Sequence, residues 1–184
     1  MVCGLPGRQD GALFFEKTPM HTEAQTKPEL SHICSLIESI PVAMLTTFDS
    51  HGALVSQPMV PLEMDGHGAL WFFTDLRSEK IEHLQVLNLS FSDSGQATYV
   101  SISGRGEMVD DRAALERLWT PLARPWFPDG VESTHLGLLK VVPQEAEYWD
   151  VPHGRMVRMV AMAASAVVGR PVALGAHETL TDLS

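Results

Sequence analysis

Short extended runs alternate with tight turns through the middle of this 184-residue chain. The runs are apolar and rich in β-branched residues, and Asp- and Gly-containing turns of the kind that closes hairpins separate them at residues 49–52 and 65–68. Closure of a sheet on itself removes its unpaired edges, so the pattern predicts a mainly β domain with flanking helices, arranged as a closed or partly closed antiparallel barrel. Strands are predicted at residues 42–48, 53–60, 69–74, 87–92, 97–109, 137–142 and 146–150.

Helices are predicted in four further places. Residues 30–40 predict an amphipathic helix that ends before Pro41, and Thr26 and Glu29 have the spacing of a capping box at its start. The same helix places Cys34 among apolar neighbours, which favours a small core residue over a nucleophile. Further helices are predicted at residues 78–85, 112–119 and 155–168. Gly104 and Gly106 predict a bulge or bend in the longest strand.

Charge and composition exclude several classes of protein. The chain has 23 Asp and Glu residues against 13 Lys and Arg residues, so it lacks the clustered cations that nonspecific nucleic-acid binding requires. No apolar window of about 18 residues predicts a membrane span. Cys3 and Cys34 are the two cysteines, too few for a disulfide framework. The N-terminus has no apolar run followed by a small-residue cleavage site, so we expect a cytoplasmic protein.

Most motifs that carry chemistry are missing from the sequence. The eight histidines are scattered and show neither the helical spacing nor the paired Cys/His arrangement of a metal site, so no metal is expected. No Gly-rich dinucleotide motif or P-loop is present, which gives no support for a Rossmann nucleotide site. No pair of side chains has the pattern of a catalytic acid and base. We therefore expect no catalytic residue among the protein side chains.

The end of the third predicted strand is the strongest candidate for a ligand site. An apolar run ends at Thr74, and a hydroxyl and an ammonium follow at Ser78 and Lys80. Ser78 begins the helix predicted at residues 78–85, where backbone N–H groups and the helix dipole favour an anion. These donors together suit a terminal phosphate monoester. The alternative is that Ser78 only caps the helix and that Lys80 is only solvated.

The order of these segments resembles the pyridoxamine 5′-phosphate oxidase-like split-barrel superfamily. The likeness lies in residues 42–48, 55–59 and 71–75, followed by Ser78 and Lys80. The resemblance covers residues 29–168. No single motif in it is diagnostic, but the order and spacing of its segments together are specific. Later segments are similar to the general stress protein branch of the superfamily, and they lie at residues 89–93, 99–104, 111–112, 118–119, 126–128 and 146–150.

This resemblance implies a six-stranded antiparallel split β-barrel that forms a homodimer and binds FMN between the two subunits. The flavin would lie along the second barrel strand, and its phosphate would meet Thr74, Ser78 and Lys80. Trp126 lies between two prolines, and in this arrangement it would line one side of the flavin ring or close the substrate side of the site. The alternative is that Trp126 is a core or dimer-contact residue. The full set of expected cofactor-binding residues is Gln57, Pro58, Met59, Val60, Phe73, Thr74, Ser78, Lys80 and Trp126.

Two positions depart from the family pattern. Gln57 stands where many relatives carry arginine, and Glu79 stands where oxidase relatives have another basic residue. A pocket that lacks these two cations loses charge-assisted hydrogen bonds worth about 1.5–3 kcal/mol each. The expected consequence is a modest affinity for FMN, unless a group such as Arg77 compensates.

The resemblance leaves more than one function open. The first is an FMN-dependent oxidoreductase of the stress response that takes electrons from NAD(P)H, with the flavin supplying the chemistry. The second is a non-enzymatic FMN binder that stores, senses or buffers flavin. A pyridoxamine 5′-phosphate oxidase is disfavoured, because the extra basic groups for its substrate phosphate are missing, and a split barrel binding haem or a deazaflavin is a further class. The domain is expected at residues 26–168, between a disordered leader at 1–25 and a tail at 169–184.

Overall fold

A computed structural model describes residues 20–150, 176–181 and 183, and these form one curled half-barrel sheet with few helices. Three short 3₁₀ helices also occur, at Glu79–His83, Pro121–Ala123 and Gly130–Glu132. The strands and α-helices are β1 (His21–Thr22), α1 (Pro28–Ile37), β2 (Ala43–Phe48), β3 (Leu54–Met59), β4 (Pro61–Met64), β5 (Leu70–Asp75), β6 (Leu87–Asp93), β7 (Thr98–Val109), α2 (Arg112–Leu118), β8 (Leu136–Asp150) and β9 (Ala176–Thr181).

The sheet is organised around its longest strand, β8. Strand β7 pairs with β8 along one side, while β5 and β9 pair with its first and second halves on the other side. The full order is β1-β4-β5-β8-β7-β6-β2-β3, with β9 beside β8. Only the pairing of β1 with β4 is parallel among the described strands, and all others are antiparallel. Strand β3 therefore lies at one end of the sheet order.

The core follows from the alternation of apolar side chains along the strands. In β2 the odd-numbered residues 43, 45 and 47 are buried and the even-numbered ones face outward to varying degrees. Helix α1 packs its apolar face, residues 30, 33, 34 and 37, into the same cluster. Cys34 is part of this core, as its helical position predicted, and burial raises the pKa of its thiol, with nearby Glu38 adding to the shift. The thiol is therefore a packing group.

A β-bulge joins what the sequence divided into two last strands. The predictions at residues 137–142 and 146–150 correspond to a single strand, β8, in which Gln144 is the extra residue opposite the step from Ser103 to Gly104. A Cβ on Gly104 would lie 2.3 Å from the carbonyl oxygen of Val142, so only glycine permits this approach. The bulge predicted at Gly104 is confirmed, and it accommodates Pro143 without ending the strand.

A second, smaller apolar cluster lies on the other face of β5. Phe73 contacts Trp119 there, with ring centroids 5.7 Å apart. Helix α2 leads into this cluster and begins at Asp111, whose side chain accepts a hydrogen bond from the Ala114 backbone N–H. The other members of the cluster are Leu115, Ala123, Phe127 and Leu136.

Several predicted boundaries were wrong. Helix α1 begins at Pro28 with Lys27 as its N-cap, because the Thr26 N–H donates to the Gly66 carbonyl instead of joining a capping box. The helix predicted at residues 78–85 is the 3₁₀ helix Glu79–His83, held by bonds between residues three apart such as Ile81 N–H to Ser78 C=O.

Three strands were not predicted: β1, β4 and β9. Strand β1 lies inside the predicted leader at residues 1–25, and β9 lies inside the predicted tail at 169–184. Each is specified by pairing with a distant strand rather than by its own periodicity. The helix predicted at residues 155–168 lies outside the described residues.

None of the described helices is both long enough and apolar enough to cross a membrane.

Candidate functional site

A groove opens where the 3₁₀ helix Glu79–His83 faces the β2–β3 hairpin. Its volume is about 460 Å³, within the range of sites for cofactor-sized ligands. We call it the edge groove, because it runs along β3, the strand that ends the sheet order. The residues that line it are Phe48, Asp49, Val55, Ser56, Gln57, Ser78, Lys80 and His83.

Hydrogen-bond alternation leaves one edge of β3 free of any described strand. The Asp49 N–H donates to the Ala53 carbonyl at 2.8 Å, which fixes every second residue of β3 as bonded to β2. The backbone groups of residues 54, 56 and 58 therefore point to the open side. Pro58 occupies one of these places, where its missing N–H is not needed, as the sequence predicted. The groove thus has a backbone edge whose N–H and C=O groups no described strand occupies, and which is available to a ligand or a partner.

Lys80 provides the positive charge of the edge groove. Its Nζ donates to Gln57 Oε1 at 3.2 Å and lies 3.3 Å from Met59 Sδ, two neutral acceptors. Burial lowers the pKa of Lys80, and the charge of Asp75 acts in the opposite direction. Among the side chains that the structure describes, no carboxylate lies within ion-pair distance of this ammonium. Within the described part of the chain, the site is therefore one partly buried cation that lacks an ion-pair partner.

Arg77 does not supply a second cation to the groove. Its guanidinium donates to both carboxylate oxygens of Asp75, with Nε to Oδ1 at 2.9 Å and Nη2 to Oδ2 at 2.6 Å. This pairing holds the pKa of Asp75 well below its usual range. Arg77 thus pairs with Asp75, and the charge of Asp75 acts on Lys80 from beyond ion-pair distance. The expected compensation by Arg77 is not seen in this arrangement.

Ser78 lies at the N-cap position of the 3₁₀ helix, but its side chain makes no capping hydrogen bond. Its N–H donates to the Asp75 carbonyl at 3.0 Å, and its side chain lines the groove. The interpretation of Ser78 as only a helix cap was therefore wrong. The helix is a single short 3₁₀ turn, so its dipole contributes little, and side chains rather than the helix dipole define the anion site.

Asp49 is the one carboxylate on the groove wall among the described residues. Its Oδ1 accepts from the backbone N–H groups of His51 at 2.9 Å and Ala53 at 2.8 Å. These two bonds form the hairpin turn and direct the carboxylate toward the turn backbone. Asp49 consequently stabilises the wall of the groove, and it forms no ion pair with Lys80 on the other side.

The structure brings together four of the nine predicted site residues: Gln57, Met59, Ser78 and Lys80. Pro58 and Val60 belong to the same stretch of chain, and Val60 is exposed. The remaining three, Phe73, Thr74 and Trp126, do not line the groove.

These three outlying residues occupy different surroundings. Thr74 is buried, and its Oγ1 has no hydrogen-bond partner among the described residues. Phe73 alternates to the opposite face of β5 and packs on Trp119. Trp126 is 61% exposed, on the loop that carries buried Phe127. Their roles toward a cofactor stay predictions.

Sequence reasoning missed His83. It lines the groove three residues after Lys80, but as one of eight scattered histidines it belonged to no motif. The signal that identifies it is the 3₁₀ turn itself, since residues three apart share one face of such a helix. The described ranges contain no cluster of three His, Cys, Asp or Glu side chains that could hold a metal ion.

Comparison with known proteins agrees with this architecture. The family model described as "Pyridoxamine 5′-phosphate oxidase like" matches residues 28–172, which is most of the chain. The chain belongs to this family. The family resemblance inferred from the order of the strands is thereby confirmed, and so is the mainly β split-barrel class, although the sheet has nine described strands rather than six.

Three similar proteins share about a quarter of their residues with this chain over the matched regions. A crystal structure from Jannaschia sp. CCS1, provisionally named general stress protein 26, is 26% identical with a TM-score of 0.68, and the match covers 84% of this chain and 99% of that one. The general stress FMN/FAD binding protein of Xanthomonas citri is 28% identical with a TM-score of 0.57, over 67% and 90% of the two chains. Protein bli-3 of Neurospora crassa is 25% identical over 181 residues, covering 91% of this chain and 87% of that protein.

Proposed function

We propose that this protein binds FMN in the edge groove, with the flavin phosphate against Lys80. The observation that supports this most directly is the ammonium of Lys80, which is partly buried and whose acceptors among the described residues are the neutral Gln57 Oε1 and Met59 Sδ. Burial of a charge without an opposite charge is costly, so such a position favours an anionic ligand. Ser78 adds a hydroxyl donor beside it, and both residues suit the oxygens of a phosphate monoester.

The residues of the groove fit the rest of an FMN molecule. The aromatic ring of Phe48 and the side chain of Val55 offer apolar surface to a flat heterocycle, and the open backbone edge of β3 offers N–H and C=O groups to its polar rim. Bound FMN would supply hydride acceptance at its ring nitrogen N5. The chain itself would bind the phosphate, orient the ring and exclude water from one face. FMN/FAD binding by the Xanthomonas citri relative supports the same choice of ligand class.

The proposed binding unit is a homodimer with the groove at its interface. Apolar side chains are exposed around the groove on both faces of the β2–β3 hairpin: Leu54 is 68% exposed, Val55 42% and Phe48 41%. An open edge strand with exposed apolar residues is a surface that native proteins cover. A second copy of the chain would cover it and complete the groove, whose described walls are the hairpin and the 3₁₀ helix of one chain.

Two roles are compatible with flavin binding. The residues of the groove do not distinguish them, because the flavin itself would carry out any electron transfer. An NAD(P)H-dependent oxidoreductase needs no acid–base pair from the protein, which agrees with a groove whose titratable groups are Asp49, Lys80 and His83. A non-enzymatic binder that stores, senses or buffers flavin needs the same groove. A cytoplasmic setting, where NAD(P)H is available, stays a prediction.

Titration of the purified protein with FMN tests the proposal. We expect quenching of flavin fluorescence that saturates at one FMN per chain. No saturable binding of FMN would refute the proposed function. With FMN bound, anaerobic addition of NADH or NADPH then separates the two roles, because a reductase bleaches the flavin absorbance within its turnover time and a passive binder leaves it unchanged.

A further inference from the structure

Besides Lys80, His83 is the lining residue of the edge groove whose side chain can carry a positive charge. It ends the 3₁₀ helix Glu79–His83, one turn after Lys80. Side chains three residues apart lie one above the other on such a helix, and both of these line the groove. His83 is partly buried, so its imidazole is neither a core residue nor a fully solvated one.

The charge of the proposed ligand exceeds what Lys80 alone provides. A phosphate monoester carries about −1.5 to −2 charges at pH 7, whereas the ammonium carries one positive charge. Asp49 is the other titratable group facing His83 across the groove, and its Oδ1 accepts from two backbone N–H groups of the hairpin turn. On the helix itself, Glu82 is exposed beside His83. No arginine lines the groove, since Arg77 is paired with Asp75.

We propose that His83 is the second phosphate-binding cation of the edge groove and that FMN binding therefore takes up a proton. The inference rests on the proposed function and extends it. Protonated His83 donates an N–H to a phosphate oxygen alongside Lys80 Nζ. The site thereby regains a charge-assisted bond, but one that depends on pH.

The direction of the pH effect follows from linkage. Imidazole side chains change charge between about pH 5 and 8. The phosphate binds the protonated form more tightly, so affinity is highest at the acidic end of this range and falls as pH rises. One linked proton limits the change to about tenfold per pH unit. Below about pH 6 the phosphate itself takes up a proton and loses negative charge, so the affinity should not increase further below that pH.

The experiment compares three ligands at two pH values. Dissociation constants of FMN, FAD and riboflavin are measured by flavin fluorescence at pH 6.5 and pH 8.0. For the unmodified protein we expect FMN to bind about fivefold or more weakly at pH 8.0. Riboflavin has no phosphate and should change by less than about twofold. The FAD diphosphate is an anion whose own charge is constant over this range, so FAD should weaken in the same direction as FMN through His83 alone.

Three variants assign the effect to one side chain. His83→Gln should remove the pH dependence of FMN binding and weaken it at pH 6.5 to the value seen at pH 8.0. His83→Lys keeps a permanent positive charge and should bind FMN tightly at both pH values. His67→Gln, at an exposed turn residue, is the matched control and should behave like the unmodified protein. Thermal melts of each protein without ligand check that all are folded.

The outcomes separate the inference from the function on which it rests. If FMN binds but its pH dependence persists in His83→Gln, or is absent from the unmodified protein, the role of His83 is overturned while FMN binding stands. An equal pH dependence for riboflavin overturns it as well, because the titrating group would not act on the phosphate. Absence of FMN binding at both pH values overturns both proposals.

Discussion

Replacement of Lys80 by methionine removes the one ammonium of the edge groove while nearly conserving the length of the side chain. In the unmodified protein the acceptors of Nζ among the described residues are Gln57 Oε1 at 3.2 Å and Met59 Sδ at 3.3 Å. Both are neutral and exchange easily for a phosphate oxygen. The substitution should therefore leave the flavin ring site intact and remove one charge-assisted contact to the phosphate.

The size of the effect follows from that single contact. A hydrogen bond to a charged group contributes about 1.5–3 kcal/mol, and about 1.4 kcal/mol corresponds to a tenfold change in affinity. Lys80→Met should thus weaken FMN binding by about 10- to 150-fold. Riboflavin, which lacks the phosphate, should change by no more than about twofold.

In the absence of ligand, Lys80→Met should raise the stability of the folded protein or leave it unchanged. Burial lowers the pKa of Lys80, so the folded state binds this proton less tightly than the unfolded state. The ammonium is thus destabilising at neutral pH, and this cost disappears as pH rises from the lowered folded pKa through the ordinary lysine value of 10.5. Lys80→Met should therefore have an unchanged or higher melting temperature below that range, where loss of a stabilising ion pair would lower it.

Fluorescence titration with FMN and riboflavin measures the binding effect. Lys140→Met is the matched control, because Lys140 lies over the Trp71 ring at 5.2 Å and 3.7 Å from Asp65, outside the groove. Equal losses of affinity for FMN and riboflavin would refute the assignment of Lys80 to the phosphate. The same conclusion would follow if Lys140→Met weakened FMN as much as Lys80→Met.

Three further predictions concern the fold and the assembly. Gly104→Ala should lower the free energy of unfolding by about 3 kcal/mol in urea titrations, because the new Cβ would lie 2.3 Å from the Val142 oxygen; a loss under about 1 kcal/mol would contradict the close approach at the bulge. Arg117→Met should cost about 2 kcal/mol by the same assay, because it leaves the carboxylate of Glu63, 1% exposed, without its guanidinium partner; unchanged stability would show that Glu63 finds another partner. By gel filtration the unmodified chain should elute at twice its 20.2 kDa and Leu54→Arg at the monomer mass, and a monomeric unmodified chain would contradict the proposed dimer.

Local signals predicted those parts of the fold that neighbouring residues specify. Helix α1 and the hairpin at residues 49–52 were predictable because periodicity of apolar residues and Asp-Gly turns act within a few residues. The glycine at 104 likewise marked its bulge. Predictions failed where a distant partner decides. The Thr26 N–H bonds across to Gly66, and β1 exists as a strand because β4 pairs with it.

The same distinction between local sequence and tertiary contacts applies to the candidate site. The sequence by itself determined the family, the extended segments, and the presence of Ser78 and Lys80 after an apolar strand, because these depend on residue type and order. Only the tertiary structure decided which groups meet. The pairing of Arg77 with Asp75, the two neutral acceptors beside Lys80 and the turn that brings His83 into the groove are contacts whose formation depends on packing and backbone geometry. The sequence determines which side chains carry a charge, but whether that charge is neutralised depends on the groups that surround it in the folded protein.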